Sequence, residues 1–227
     1  MSSPSNKEQS LAQRSLRDTL FADESLERVA KYANEVKDSP PWSHFFNAQQ
    51  SLMKNEKNAA IQELKRVLEM AGVESRVTLQ TWHCLRELGE FPPADVARQI
   101  QGVVVEVALE RGLDLLAAYA DHTTRYFNFS GAGVISDASD PEIEKITDQL
   151  LGIGQGIINH IGVWDKPRPP APPSGSVRIN LLTCGGLYFG QGEFEVLARD
   201  SLGGPALQAA SNLMQVLIAK SATPRPA

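Results

Sequence analysis

The sequence predicts an α+β protein: an N-terminal helical region, then a helix-hairpin-helix-hairpin-helix domain built on an antiparallel sheet. Two observations carry this reading. Apolar residues recur at helical spacing until Leu113 to Ser136, where the pattern turns extended. There Leu115, Ala117 and Tyr119 alternate with Leu116, Ala118 and Ala120; Asp121-His122-Thr123 breaks the run, and Tyr126, Phe127 and Phe129 resume it before Gly131 and Gly133. A second extended pair, Val177 to Leu182 and Leu187 to Phe189, surrounds Cys184-Gly185-Gly186, so two hairpins separated by a helix must share one sheet.

Taken in order, Met1 to about Ser10 is Ser-rich and polar and predicts a mobile tail, within an N-terminal segment reaching residue 22. Asp23 or Ser25 can cap a helix with Leu26, Val29, Ala30, Ala33 and Val36 on one face, stopped by Asp38-Ser39-Pro40-Pro41. Trp42, Phe45, Phe46, Leu52 and Met53 mark the next helix. Ala60, Ile61, Leu64, Val67 and Leu68 mark its antiparallel partner across a polar joint. After Gly72, the positions Val77, Leu79, Trp82, Leu85 and Leu88 give a further helix ending at Gly89-Glu90-Phe91-Pro92-Pro93. Residues 23–91 are thus a helical extension, and residues 93–220 the α/β domain.

That domain opens with Ala94 to Arg111, read as helix because Val96, Ile100, Val103, Val104 and Val107 keep a helical face and Gly112 suits a cap. The central helix, Pro141 to Ile161, starts at an acidic capping arrangement and buries Ile143, Ile146, Leu150, Ile153, Ile157 and Ile161. It should pack on four or five strands. Asp at Ile146 or Leu150 should abolish folding, whereas Asp at Gln155 should be tolerated. Lys166 to Gly175 is a proline-rich extended link; Gly203-Gly204-Pro205 introduces the last helix, and residues 221–227 form a tail.

Trp42 to Met70 resembles one tetratricopeptide unit, but no second copy follows at a period near 34 residues, and a helical cap on the next domain is the preferred reading. The element order from Pro93 to Lys220 resembles the roadblock and profilin-like group. That resemblance implies an antiparallel sheet backed by helices and roles in dimerisation and in regulating small GTPases.

The 227 residues carry a formal net charge of -5, which supplies no broad basic field for a nucleic acid. No run reaches the roughly 18 apolar residues of a membrane span and no signal-peptide core is visible, so a soluble, cytoplasmic protein without a membrane partner is expected. Cys84 and Cys184 are read as two reduced thiols.

Candidate chemistry is sparse, and neither a cofactor nor a metal is expected. Gly152-Ile153-Gly154-Gln155-Gly156 follows a helical pattern and lacks Gly-Lys-Ser/Thr, so its glycines are read as close-packing positions. Cys184 before two glycines could present a thiolate beside free N–H groups with His160 as base, although Gly-Gly is also an ordinary turn. His44, His83 and His122 sit at no metal-ligand spacing. Arg125, beside Tyr126, and Arg178 could hold a carboxylate or phosphate if they share a sheet face. The expectation for function is a non-enzymatic regulatory or scaffolding protein acting through a protein partner or self-dimerisation, at its sheet edge or helical extension. Trp42, Trp82 and Trp164 are candidate interface aromatics. The alternative is a small-ligand-binding or thiol-dependent enzyme domain using Cys184 and His160.

Overall fold

The computed structural model describes residues 16–36, 38–137 and 139–221. The tails expected over Met1 to Ser10 and beyond Ser221 lie outside them. Helical residues 16–21 (α1) lead into α2 (Leu26–Ala33), where the Ser25 hydroxyl accepts from the Arg28 N–H at 3.4 Å and so satisfies one free amide of the first turn. A short 3₁₀ turn follows over Asn34–Val36. Helices α3 (Trp42–Met53) and α4 (Lys57–Glu69) pack as a pair, and α5 (Ser75–Glu87) completes the extension. Phe45, Ala48, Ala60, Leu64, Val67 and Leu85 form its core, each fully buried.

After a four-residue helix α6 (Ala94–Ala97) comes a difference from the sequence expectation. Ile100–Leu109 is not helix but strand β1, the middle of the sheet. The reason is burial on both faces: Val103 and Val105 face one layer of helices while Val104 and Ala108 face the other. A strand covered on both sides reads as a continuous apolar run with no polar alternation, and such a run fits a helical template by chance. The β-branched Val103-Val104-Val105 was the signal that should have prevailed.

β1 runs antiparallel to β2 (Gly112–Tyr119), which pairs β3 (Thr124–Phe127) and then β4 (Gly133–Ser136). After α7 (Pro141–Ile158) the chain returns as β5 (Ser176–Thr183), on the free side of β1, and β6 (Gly186–Glu193). The six-stranded order is β4-β3-β2-β1-β5-β6, one more strand than the upper expectation. A turn of helix α8 (Phe194–Leu197) precedes α9 (Gly203–Ser221).

Helices α7 and α9 cover one face of the sheet. Asp140 caps α7 by accepting from the Glu142 and Ile143 N–H groups at 3.0 and 3.3 Å, with Pro141 at the first position, where its missing N–H costs nothing. Leu150, Ile158, Leu181 and Leu213 meet beneath these helices. Of the three glycines in α7 only Gly154 is packed: a Cβ there would sit 2.5 Å from Ile100 Cδ1 and 3.0 Å from Leu181 Cδ2, whereas Gly152 and Gly156 face open space. Gln155 is not the indifferent position expected, because its side chain accepts from Ile100 N at 3.0 Å and donates to Arg98 O at 3.1 Å, tying α7 to the start of β1.

The opposite face receives the extension. Leu20, Phe21, Ala22 and Leu79 pack on Val104, Leu115, Ala117 and Tyr119, whose hydroxyl donates to the Leu20 carbonyl at 2.6 Å. The proline-rich link runs along this side as a strap.

Candidate functional site

The seam where helical extension, strap and sheet meet holds most of the buried charge. Even-numbered β1 and β5 residues point there, which brings Glu106 beside Arg178 and Asn180. Glu106 is fully buried. One carboxylate oxygen accepts from Arg17 Nε at 2.5 Å, the other from Arg178 Nη1 at 3.3 Å and Asn180 Nδ2 at 3.2 Å. Each arginine also reaches the strap, Arg17 donating to the Pro169 carbonyl at 3.0 Å and Arg178 to the Pro170 carbonyl at 2.8 Å. Proline suits this position because it keeps a carbonyl to accept from the arginines and has no N–H that would need a partner in the seam. Arg178 also donates to the Gln191 side chain and lies 5.2 Å from the Phe189 ring centroid; burial lowers its pKa from the ordinary guanidinium value.

Outside this cluster, Arg168 of the strap stacks on Phe21 at 4.4 Å and bonds Asp23 at 2.7 Å and Asp18 at 2.6 Å. Two clefts open on either side of Arg168 and Asp23. The larger, of about 820 Å³, includes Arg17, Arg28 and Glu24. The smaller, of about 370 Å³, lies between α5 and the β5–β6 turn. Leu79, His83 and Arg86 enter it from one helical face, spaced four and three residues apart. Arg86 donates to the Cys184 carbonyl, and burial lowers the pKa values of both Arg86 and His83.

Arg125 and Arg178 do share a sheet face, but the structure does not bring them together. Arg125 aligns with Ala117, Val104 and Asn180 across β3, β2, β1 and β5. Three strand spacings, about 14 Å in all, and a further two residues along β5 therefore separate the two positions. Arg125 lies 5.8 Å from the Tyr119 ring centroid and 3.6 Å from Asp137, with Nη1 buried and unpaired. Tyr126 points the other way. Its hydroxyl donates to Asp114 at 2.9 Å on the wall of an apolar groove of about 200 Å³ between the sheet and α9. Burial, and then that hydrogen bond, pushes the phenol up to about 12.

Cys184 is 1% exposed, and burial pushes its thiol up to about 11, the opposite of thiolate activation. His160 is exposed at the end of α7, its Nδ1 2.8 Å from the Gly156 carbonyl. No hydrogen bond joins it to Cys184 among the described residues. The glycines after Cys184 serve the turn: Gly186 has φ +144°, and a Cβ on Gly185 would stand 2.5 Å from the Ala97 carbonyl oxygen that accepts from the Gly185 N–H. Both cysteines are free.

Sequence reasoning passed over Glu106, Arg17 and Arg86. An acidic residue inside the apolar run Val103 to Leu109 was the available signal for Glu106, since burying a carboxylate requires paired cations. Nothing local marked Arg17, which lies 89 residues away from Glu106.

Comparisons with family models, with curated protein sequences and with solved structures find no match for this chain. Among the described residues no helix is long and apolar enough to cross a membrane.

Proposed function

We propose that this is a non-enzymatic regulatory or scaffolding protein that acts through protein contacts, engaging its partner by strand addition at β4. The observation that supports it is the asymmetry of the two sheet edges. At β6, the Trp164 N–H donates to the Leu187 carbonyl at 2.7 Å, and the chain preceding the strap lies against the strand. At β4, among the described residues, no backbone group bonds the outer side, and Ile135 is 53% exposed. An unblocked edge without lysine or proline is a template for another strand.

A second copy is the simplest partner, because two β4 strands can pair antiparallel about a two-fold axis and leave no free edge there. Two unbridged buried thiols fit a reducing, cytoplasmic setting.

Light scattering over a concentration series, with hydrogen exchange read at Val134 to Ser136, tests this. Concentration-dependent association with slowed β4 exchange is expected, and Ile135→Lys should weaken it at least about tenfold without changing the fold. A strict monomer whose β4 amides exchange freely, alone and with cell extract, would remove the reading.

A further inference from the structure

The smaller cleft of the seam contains a cation, Arg86, with no directly paired carboxylate among the described residues. Arg86 enters it from α5, held by its bond to the Cys184 carbonyl, and no carboxylate among the described residues lies within ion-pair distance of it. Across the cleft the contrast is plain: Arg168 is neutralised there by Asp18 and Asp23. Lys166 adds a second cation, 5.5 Å from the Trp164 ring centroid, and exposed Asp165 is the one further acid on the lining.

The rim is apolar and open to solvent. Phe91 is 72% exposed and Val163 48% exposed, and both line the cleft together with Trp164 and Leu187. A volume of about 370 Å³ falls within the range of small-molecule sites, roughly 300 to 1,000 Å³. A half-buried guanidinium with donors to spare is the group that recognises a carboxylate in a planar, two-bond arrangement. An aromatic rim beside it supplies contact for a ring.

We propose that this cleft binds a small molecule carrying a carboxylate on an apolar, ring-sized body, with Arg86 pairing the carboxylate and Phe91 and Trp164 flanking the ring. The site stands apart from the β4 edge and does not depend on self-association. Burial disfavours the cationic form of Arg86 although Glu87 and Asp23 act on it from a distance, and a carboxylate in direct contact would relieve that cost. His83 on the same helix face, its protonation disfavoured by burial and its Nε2 3.5 Å from Glu87 Oε1, has Nδ1 left for a second polar group of the ligand.

The probes are benzoate and phenylacetate, set against the neutral benzamide and phenylacetamide, titrated into the full chain. The readout is the Trp164 indole resonance, identified with Trp164→Phe, and the amides of Gly185 and Gly186. Saturable shifts with the acids, and affinity for the amides lower by at least about tenfold, are expected. Arg86→Gln should lose the acids to a similar extent. Lys166→Gln, a change at an exposed position, should weaken them by about two- to fivefold. Equal binding of acids and amides overturns the proposal. So does unchanged benzoate affinity in Arg86→Gln, or the absence of any shift with either acid; unaltered acid affinity in Lys166→Gln removes the second cation from it.

Discussion

Glu106 shows at single-residue scale how charge is accommodated in this protein. With the carboxylate at 0% side-chain exposure and its arginines Arg17 and Arg178 at 9% and 4%, no member can be removed without stranding another. Glu106→Leu should therefore cost about 3 to 5 kcal/mol in urea denaturation. The triple variant Arg17→Met, Glu106→Leu, Arg178→Met should recover most of that loss, because an apolar replacement of the whole cluster leaves no unpaired charge. If the triple variant is as unstable as the single one, the strap carbonyls released from the arginines matter more than the charges. The thiols give a second expectation. Burial raises Cys184 from 9.0 to about 11 and Cys84 from 9.0 to about 12, so both are protonated in the fold at pH values where the unfolded chain has begun to lose its thiol protons. Their contribution is complete below about pH 9 and disappears as pH rises through the folded values. A melting temperature that declines between pH 9 and 11, more steeply in the parent than in Cys84→Ala/Cys184→Ala, checks the sign. Iodoacetamide should label neither cysteine quickly at neutral pH.

Element by element, the glycines of α7 separate packing from propensity. Gly152 faces open space, so Gly152→Ala should gain up to about 1 kcal/mol from helix propensity alone. Gly154→Val should do the reverse and cost about 1 to 3 kcal/mol, since its side chain would enter the space held by Ile100 and Leu181. Thermal denaturation of the two variants reads both signs. Leu150→Asp, at a position 1% exposed, should leave no cooperative transition. Legibility follows the same physics. Helices α2 to α5 and α7 were readable because each buries one stripe and carries a cap or a stop, such as Ser25, Pro40-Pro41, Gly72 or Asp140. Strands β2, β3, β5 and β6 were readable from turn residues between apolar runs. β1 was not, because both its faces are covered, and β4 was not, because four residues opening on glycine carry too little pattern.

Across the whole molecule, the sheet is a wall with a helical layer on each side, and the seam cluster joins the layers. The α+β class was available from periodicity. The strand order was not, because nothing in the long link after α7 says which edge β5 should choose. Placement of the candidate residues was equally out of reach: register alone sets Arg125 about three strands from Arg178 and turns Tyr126 to the other face. The seam itself depends on contacts between residues 17 and 106 and between 168 and 18, pairs that no local window contains.

The central position of β1 also has a consequence for synthesis. Val104 pairs with Ala117 on one side and Asn180 on the other, so one edge finds its partner within 13 residues and the other must wait 76. At about 5 to 20 residues per second, ribosomal elongation leaves that second edge without its neighbour for roughly 4 to 15 seconds. During this interval a strand with seven apolar residues in ten is emerging from the ribosome with half its backbone groups unpaired. A nascent chain paused before residue 176 would present that edge to its neighbours on the same polysome, which makes the stretch from Ala120 to Gly175 a period of exposure to aggregation and to chaperone capture.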